Sequence, residues 1–251
     1  MRKHPDFSPL AHRGFTLVEI AVVVVIVGLM LGGLLIPLSV QMDQKNYNET
    51  RRLMDEGKEA LYGYAMSHSA SDGKPYLPCP DTDNDGSEET RTAGACPSQE
   101  GRLPWATLGL QRADNWGNLL RYRVHPTFSD STTGFTLGST ADFRICEDDA
   151  CASVISTGIP AVIVSHGKNG YGAYNAAGGT IIAVPAGVSD NEIQNINGRN
   201  NPSAGNNTAD TADTTDVDFV STFVSDTYDD AVTWVSPNLL FNRMVSAGRL
   251  P

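Results

Sequence analysis

The stretch His12-Arg13-Gly14-Phe15-Thr16-Leu17-Val18-Glu19-Ile20, continued by an uncharged apolar run to Leu38, decides how this chain is read. Nineteen residues from Ile20 to Leu38 pass without a charge. At ~1.5 Å per residue they make a helix of about 28 Å, close to the hydrocarbon thickness of a bilayer. The run therefore predicts a membrane-spanning helix. A single carboxylate, Glu19, stands at its head. An acid in a membrane helix costs roughly 2.5–3.5 kcal/mol or more, so it calls for a partner and a purpose.

The order of features differs from that of a secretory signal. Residues 1–14 are short and basic, with Arg2, Lys3 and Arg13 against Asp6, and lack an apolar core. The small residue Gly14 precedes the apolar run rather than following it, so cleavage there leaves the apolar helix on the product. The string Arg13-Gly14-Phe15-Thr16-Leu17-Val18-Glu19 resembles the processing site of type IV prepilins and of type II secretion pseudopilins. The resemblance implies cleavage between Gly14 and Phe15 by prepilin peptidase and N-methylation of Phe15. It further implies that Glu19 of one subunit docks on the Phe15 amine of its neighbour during filament assembly. At low dielectric such a pair sets register more than it adds stability. Gly28, Gly32, Gly33 and Pro37 fit either close helix packing in a filament core or a slightly kinked anchor.

Charge narrows the partners. The chain carries 18 basic and 29 acidic residues, net −11; loss of the leader's three basic and one acidic residues leaves −13. Nucleic acid is not expected as a partner, because phosphate binding rests on basic patches. The four cysteines all follow the apolar run, Cys79 with Cys96 and Cys146 with Cys151. An even count on an exported domain reads as disulfides. Three connectivities are open to four cysteines, and nearest-neighbour pairing is the expected one. Zinc is disfavoured, since no CxxC spacing and no nearby histidine is present.

Along the chain four regions follow: a leader over 1–14, a transmembrane or filament-core helix over 15–40, its amphipathic continuation over 41–70, and a head over 71–251. In the continuation Leu53, Gly57, Leu61 and Tyr64 recur at helical spacing, and Asp72-Gly73-Lys74-Pro75 ends it. Strands are predicted at Leu119–Val124, Phe135–Leu137, Phe143–Cys146, Ala161–Ser165, Thr180–Val184, Phe219–Val224 and Ala231–Val235. Ser236-Pro237 predicts a cap and first turn of a short helix ending near Val245. Residues 191–216, rich in Asn, Thr, Ala and Asp, predict a mobile surface loop.

Two strings in the head stand out. Asp114-Asn115-Trp116-Gly117-Asn118 is similar to a turn signature of pseudopilin heads, and its physics is local: an acid that bonds backbone donors, a glycine for positive φ, a large ring to bury. Arg102–Leu110 and Val164–Gly170 are similar to segments of such heads as well. Asp81-Thr82-Asp83-Asn84-Asp85-Gly86 places alternating carboxylates before a glycine, as calcium loops do. Thr92 stands where an EF-hand has its bidentate Glu, with Glu88 and Glu89 as substitutes. A solvated acidic turn is the plainer reading of the same string, and calcium is the one cofactor it suggests. No GxSxG or HExxH occurs, and the chain is not expected to be an enzyme.

The expected protein is thus α+β and pilin-like, a long N-terminal helix packed on a β-rich head. It is expected in a bacterial inner membrane with its head in the periplasm, then in a pilus or pseudopilus filament as a minor structural subunit. Its partners would be other pilin or pseudopilin subunits, the peptidase, the inner-membrane assembly platform and the membrane. The alternative is a non-polymerising membrane-tethered ligand-binding domain or tip adhesin.

Overall fold

A computed structural model describes residues 14–197 and 217–251, without the side chains of 32–38 and 197. The expected leader up to residue 13 and residues 198–216 of the expected loop lie outside the described residues, as does side-chain packing at Gly32, Gly33 and Pro37. Two compact units are present, Met1–Lys45 and Asn46–Pro251, and helix α1 (Leu17–Ser67) contributes to both.

In the first unit the side chains from Phe15 to Leu31 are largely exposed. No helix among the described residues is long and apolar enough to cross a membrane. This corrects the expectation of a pilin-like fold with a membrane-spanning first half. The inner-membrane, single-pass location, the membrane and assembly platform as partners, and polymerisation into a pilus or pseudopilus through that helix all rested on it, and they fail with it.

The second unit is a β-rich globular domain with short helices. Beyond α1 the order is β1 (Glu100–Arg102), α2 (Trp105–Leu108), β2 (Arg121–Val124), α3 (Pro126–Ser129), β3 (Phe143–Cys146), β4 (Val154–Ile159), β5 (Ala161–Ser165), α4 (Asp190–Asn197), β6 (Asp218–Val220), β7 (Ala231–Trp234) and α5 (Pro237–Ser246). One sheet has the order β1-β2-β5-β7, antiparallel throughout. The other has the order β4-β3-β6, with β6 parallel to β3.

Strand β5 explains the layering. Its five residues are all buried, the mark of a strand covered on both faces. Ala161 and Ile163 point into a core shared with Leu53, Met54, Leu61 and Tyr62 of α1 and with Leu240 and Met244 of α5. Val162 and Val164 point the other way, onto Phe143, Ile145 and Ile159 of the second sheet and Phe219 of β6. The spacing of Leu53, Leu61 and Tyr64 thus serves packing within this unit. Gly57 sits close enough to Leu103 and Ile163 that an added Cβ would lie 3.2–3.3 Å from their methyl carbons.

Some local expectations differ from the structure. Phe135 does not open a strand; it is buried against Phe128 and Phe241, and a turn follows in which Ser139 N–H donates to the Thr136 carbonyl. The Thr180–Val184 run contributes only the isolated bridge Tyr174–Ile181. Residues 191–197 of the expected loop belong to α4. Strand β4 has no counterpart in the sequence reading, because its exposed Val154 and Ile155 break the alternation of a half-buried strand.

Leu61 is fully buried between α1 and the first sheet, whereas Leu239 on α5 is 40% exposed. Leu61→Ala is expected to lower unfolding free energy by about 2–5 kcal/mol. Leu239→Ala should stay within about 0.5 kcal/mol of the parent. Urea denaturation of the two variants checks this.

Candidate functional site

At the N-terminal segment Gly14 to Thr16 precede the helix, and Phe15 is 82% exposed. Glu19 does not stand alone. Its Oε2 accepts the Thr16 backbone N–H at 2.8 Å and the Thr16 hydroxyl at 3.0 Å, while Glu19 N–H donates to Thr16 Oγ1 at 3.2 Å. This is a capping box, in which residues three apart satisfy each other's orphan donors at a helix start. The Thr16 backbone N–H, then its hydroxyl, hold the Glu19 carboxyl below its ordinary range. The pattern Thr-x-x-Glu before an apolar run was the signal for this local partner.

In the head, Cys79 and Cys96 form one disulfide and Cys146 and Cys151 the other. The first closes the segment that holds the acidic loop. There the structure groups Asp81 and Asp83 with Glu89, not with Asp85. Asp81 already accepts Asn84 N–H at 2.7 Å and Gly86 N–H at 2.9 Å. Asp85 accepts Ser87 N–H at 2.6 Å, and Glu89 accepts both the N–H and the hydroxyl of Thr82. Glu88 is absorbed elsewhere, by the Tyr64 hydroxyl, Cys79 N–H and Arg91. The carboxylates of this loop shape its turns.

The Asp114 turn is likewise structural. Asp114 Oδ1 accepts Trp116 and Asn118 N–H, Oδ2 accepts the Ser165 hydroxyl at 2.7 Å, and Gly117 takes φ +84°. Trp116 lies 6.5 Å from the Tyr47 ring. Cys146, Cys151 and Asp218 also converge. Disulfide sulfurs carry no thiolate, and Asp218 is held by both Arg144 nitrogens at 2.5–2.6 Å, so this group is no metal site.

A third group has a different character. Glu192 of α4 and Asp229 and Asp230, which lead into β7, bring carboxylate oxygens within 4.8 Å of one another. They adjoin an open recess of about 340 Å³, lined by Asn169, Tyr171, Ser189, Glu192, Tyr228 and Asp229 among others. Local chemistry builds it. After β5 the chain turns through His166-Gly167-Lys168-Asn169-Gly170, with Gly170 N–H donating to the His166 carbonyl. Asn169 then donates its N–H to Asp229 Oδ2 at 2.8 Å and its side-chain amide to Glu192 Oε1 at 2.7 Å. Asp229 N–H also reaches Glu192 Oε1, at 3.1 Å. Gly167 has φ +56°, and a Cβ there would stand 2.3 Å from the Asp229 carbonyl, so only glycine allows this approach.

Burial and the Asp230 charge push the Glu192 carboxyl up to about 7, and burial raises Asp229 as well. Crowded acids of this kind share protons or gather around a cation. This group and the Asp81 loop can both coordinate a divalent ion such as calcium, which takes carboxylate oxygens. Sequence reading missed Glu192, Asp229 and Asp230. Ser189-Asp190-Asn191-Glu192 has capping-box spacing, and Glu192 N–H does meet Ser189, so the helix was signalled; the meeting with Asp229 and Asp230 was not.

Residues 10–35 match the family model of the prokaryotic N-terminal methylation motif, consistent with membership of the pilin and pseudopilin family. Neither the curated proteins nor the solved structures yield a match to the chain.

Glu192 ionises less readily folded than unfolded, where its ordinary value is 4.5. Its contribution is therefore fully favourable below pH 4.5 and is lost as pH rises through about 7. In chelator-treated protein, Glu192→Gln should melt higher than the parent at pH 8, with the gap closing by pH 4. Thermal unfolding at the two pH values reads it.

Proposed function

We propose that this chain is a prepilin-type processed protein whose globular unit is a calcium-dependent ligand-binding domain. Cleavage falls between Gly14 and Phe15, and Phe15 becomes the N-methylated first residue; the match over residues 10–35 supports this part. Calcium is held by Glu192, Asp229 and Asp230 at the recess, with Asn169 fixing two of the three acids. One observation carries the reading: acids from two distant segments converge beside an open, polar recess instead of being spread over the surface. A bound cation offsets the repulsion among them and leaves coordination positions toward the recess for a ligand. Binding, not catalysis, is the chemistry these residues suit.

The Asp81 loop is the weaker of the two calcium candidates, because backbone donors engage both oxygens of Asp81, while Asp229 Oδ1 at the recess has no donor among the described residues. Isothermal titration of the full chain with calcium separates them. One ion is expected to bind the parent and Asp83→Asn alike and to be lost from Asp229→Asn, a residue only partly buried. No heat with the parent at millimolar calcium, or loss in Asp83→Asn alone, overturns the assignment. Intact-mass analysis of protein from cells tests the processing: the expected chain begins at methylated Phe15, and one beginning at Met1 contradicts it.

A further inference from the structure

His166 is 1% exposed, yet neither ring nitrogen has a hydrogen-bond partner among the described residues. Its Nδ1 faces Asp230 Oδ1 at 3.6 Å, just beyond hydrogen-bond reach. A buried imidazole without partners is costly and asks for an explanation. Asp230 is as enclosed as Glu192, each 3% exposed, and its Oδ2 accepts the Asn195 amide at 3.0 Å. Asn195 thus fixes one oxygen, and the other is aimed at the ring.

Resting on the calcium reading above, the geometry points to His166 as the positioning residue that orients Asp230 toward the ion. The Nδ1–H tautomer donates to Oδ1, so each Asp230 oxygen has one protein donor and keeps a lone pair for the cation. A relative shift of only about half an ångström brings this pair to ordinary hydrogen-bond length. The ring is set in place by the turn after β5. Ser165, beside it, is anchored to Asp114, and Gly167 permits the close approach to Asp229. Donors standing behind a metal-binding carboxylate are worth about 10–100-fold in affinity, so the bond is measurable.

The test uses the full chain labelled with ¹⁵N-histidine and titrated with calcium, beside His166→Leu and His166→Asn. Calcium should shift the His166 Nδ1 resonance to that of a donor to carboxylate, leaving His68 and His125 unmoved. His166→Leu should bind calcium at least about tenfold more weakly. His166→Asn, whose Nδ2–H stands where Nδ1–H stood, should recover most of that loss, which a merely space-filling role would not produce. Calcium binding with an unmoved His166 resonance, a ring doubly protonated with and without the ion, or parent-like affinity in a folded His166→Leu overturns this role while leaving the calcium site standing. Absence of calcium binding to the parent overturns both.

Discussion

The Asn195 side chain is the constraint on which the recess depends. Its amide nitrogen lies within hydrogen-bond distance of the Val220 carbonyl (2.9 Å), the Tyr228 hydroxyl (3.1 Å) and Asp230 Oδ2 (3.0 Å), its two hydrogens shared among the three, while its oxygen accepts Val220 N–H at 2.8 Å. One buried amide therefore ties α4 to β6 and to the turn before β7. Gln194 beside it donates to the Asp218 carbonyl at 3.1 Å. A buried polar network of this kind is tolerable only when its members are satisfied. Among the described residues around the recess, the His166 ring nitrogens and Asp229 Oδ1 are left without hydrogen-bond partners.

The same network explains why a helix as polar as Asp190–Asn197 packs at all. Ile196 is its one fully buried apolar side chain, and it lies against Gly172, where a Cβ would collide with it at 2.6 Å. The rest of the burial is carried by amides and Glu192. Hydrophobic burial builds the two cores on either side of β5; hydrogen bonding attaches the recess to them.

Legibility in the sequence follows this division. Where apolar residues decide the structure, the sequence shows it: β3 and β5 occupy Phe143–Cys146 and Ala161–Ser165, and Pro237 begins α5 after Ser236. Where polar residues decide, it does not. The composition of 191–216 reads as a loop, yet Gln194 and Asn195 are buried because specific backbone groups await them. Asp81, Asp83 and Asp85 look like a cation loop in sequence, but their neighbouring N–H groups take up much of their capacity. Glu192 and the Asp229–Asp230 pair are 37 residues apart at the nearer approach, and only the fold brings them together. At the N-terminus, the capping-box spacing of Thr16 and Glu19 signals the local pairing that the structure shows between them.

The most direct test of the account is a crystal of the full chain grown with calcium. The account predicts an ion with Glu192, Asp229 and Asp230 oxygens at about 2.3–2.6 Å, the distances calcium takes to carboxylates. An ion bound only within the Asp81 loop, or carboxylates of the recess paired to protein groups with no ion among them, contradicts it.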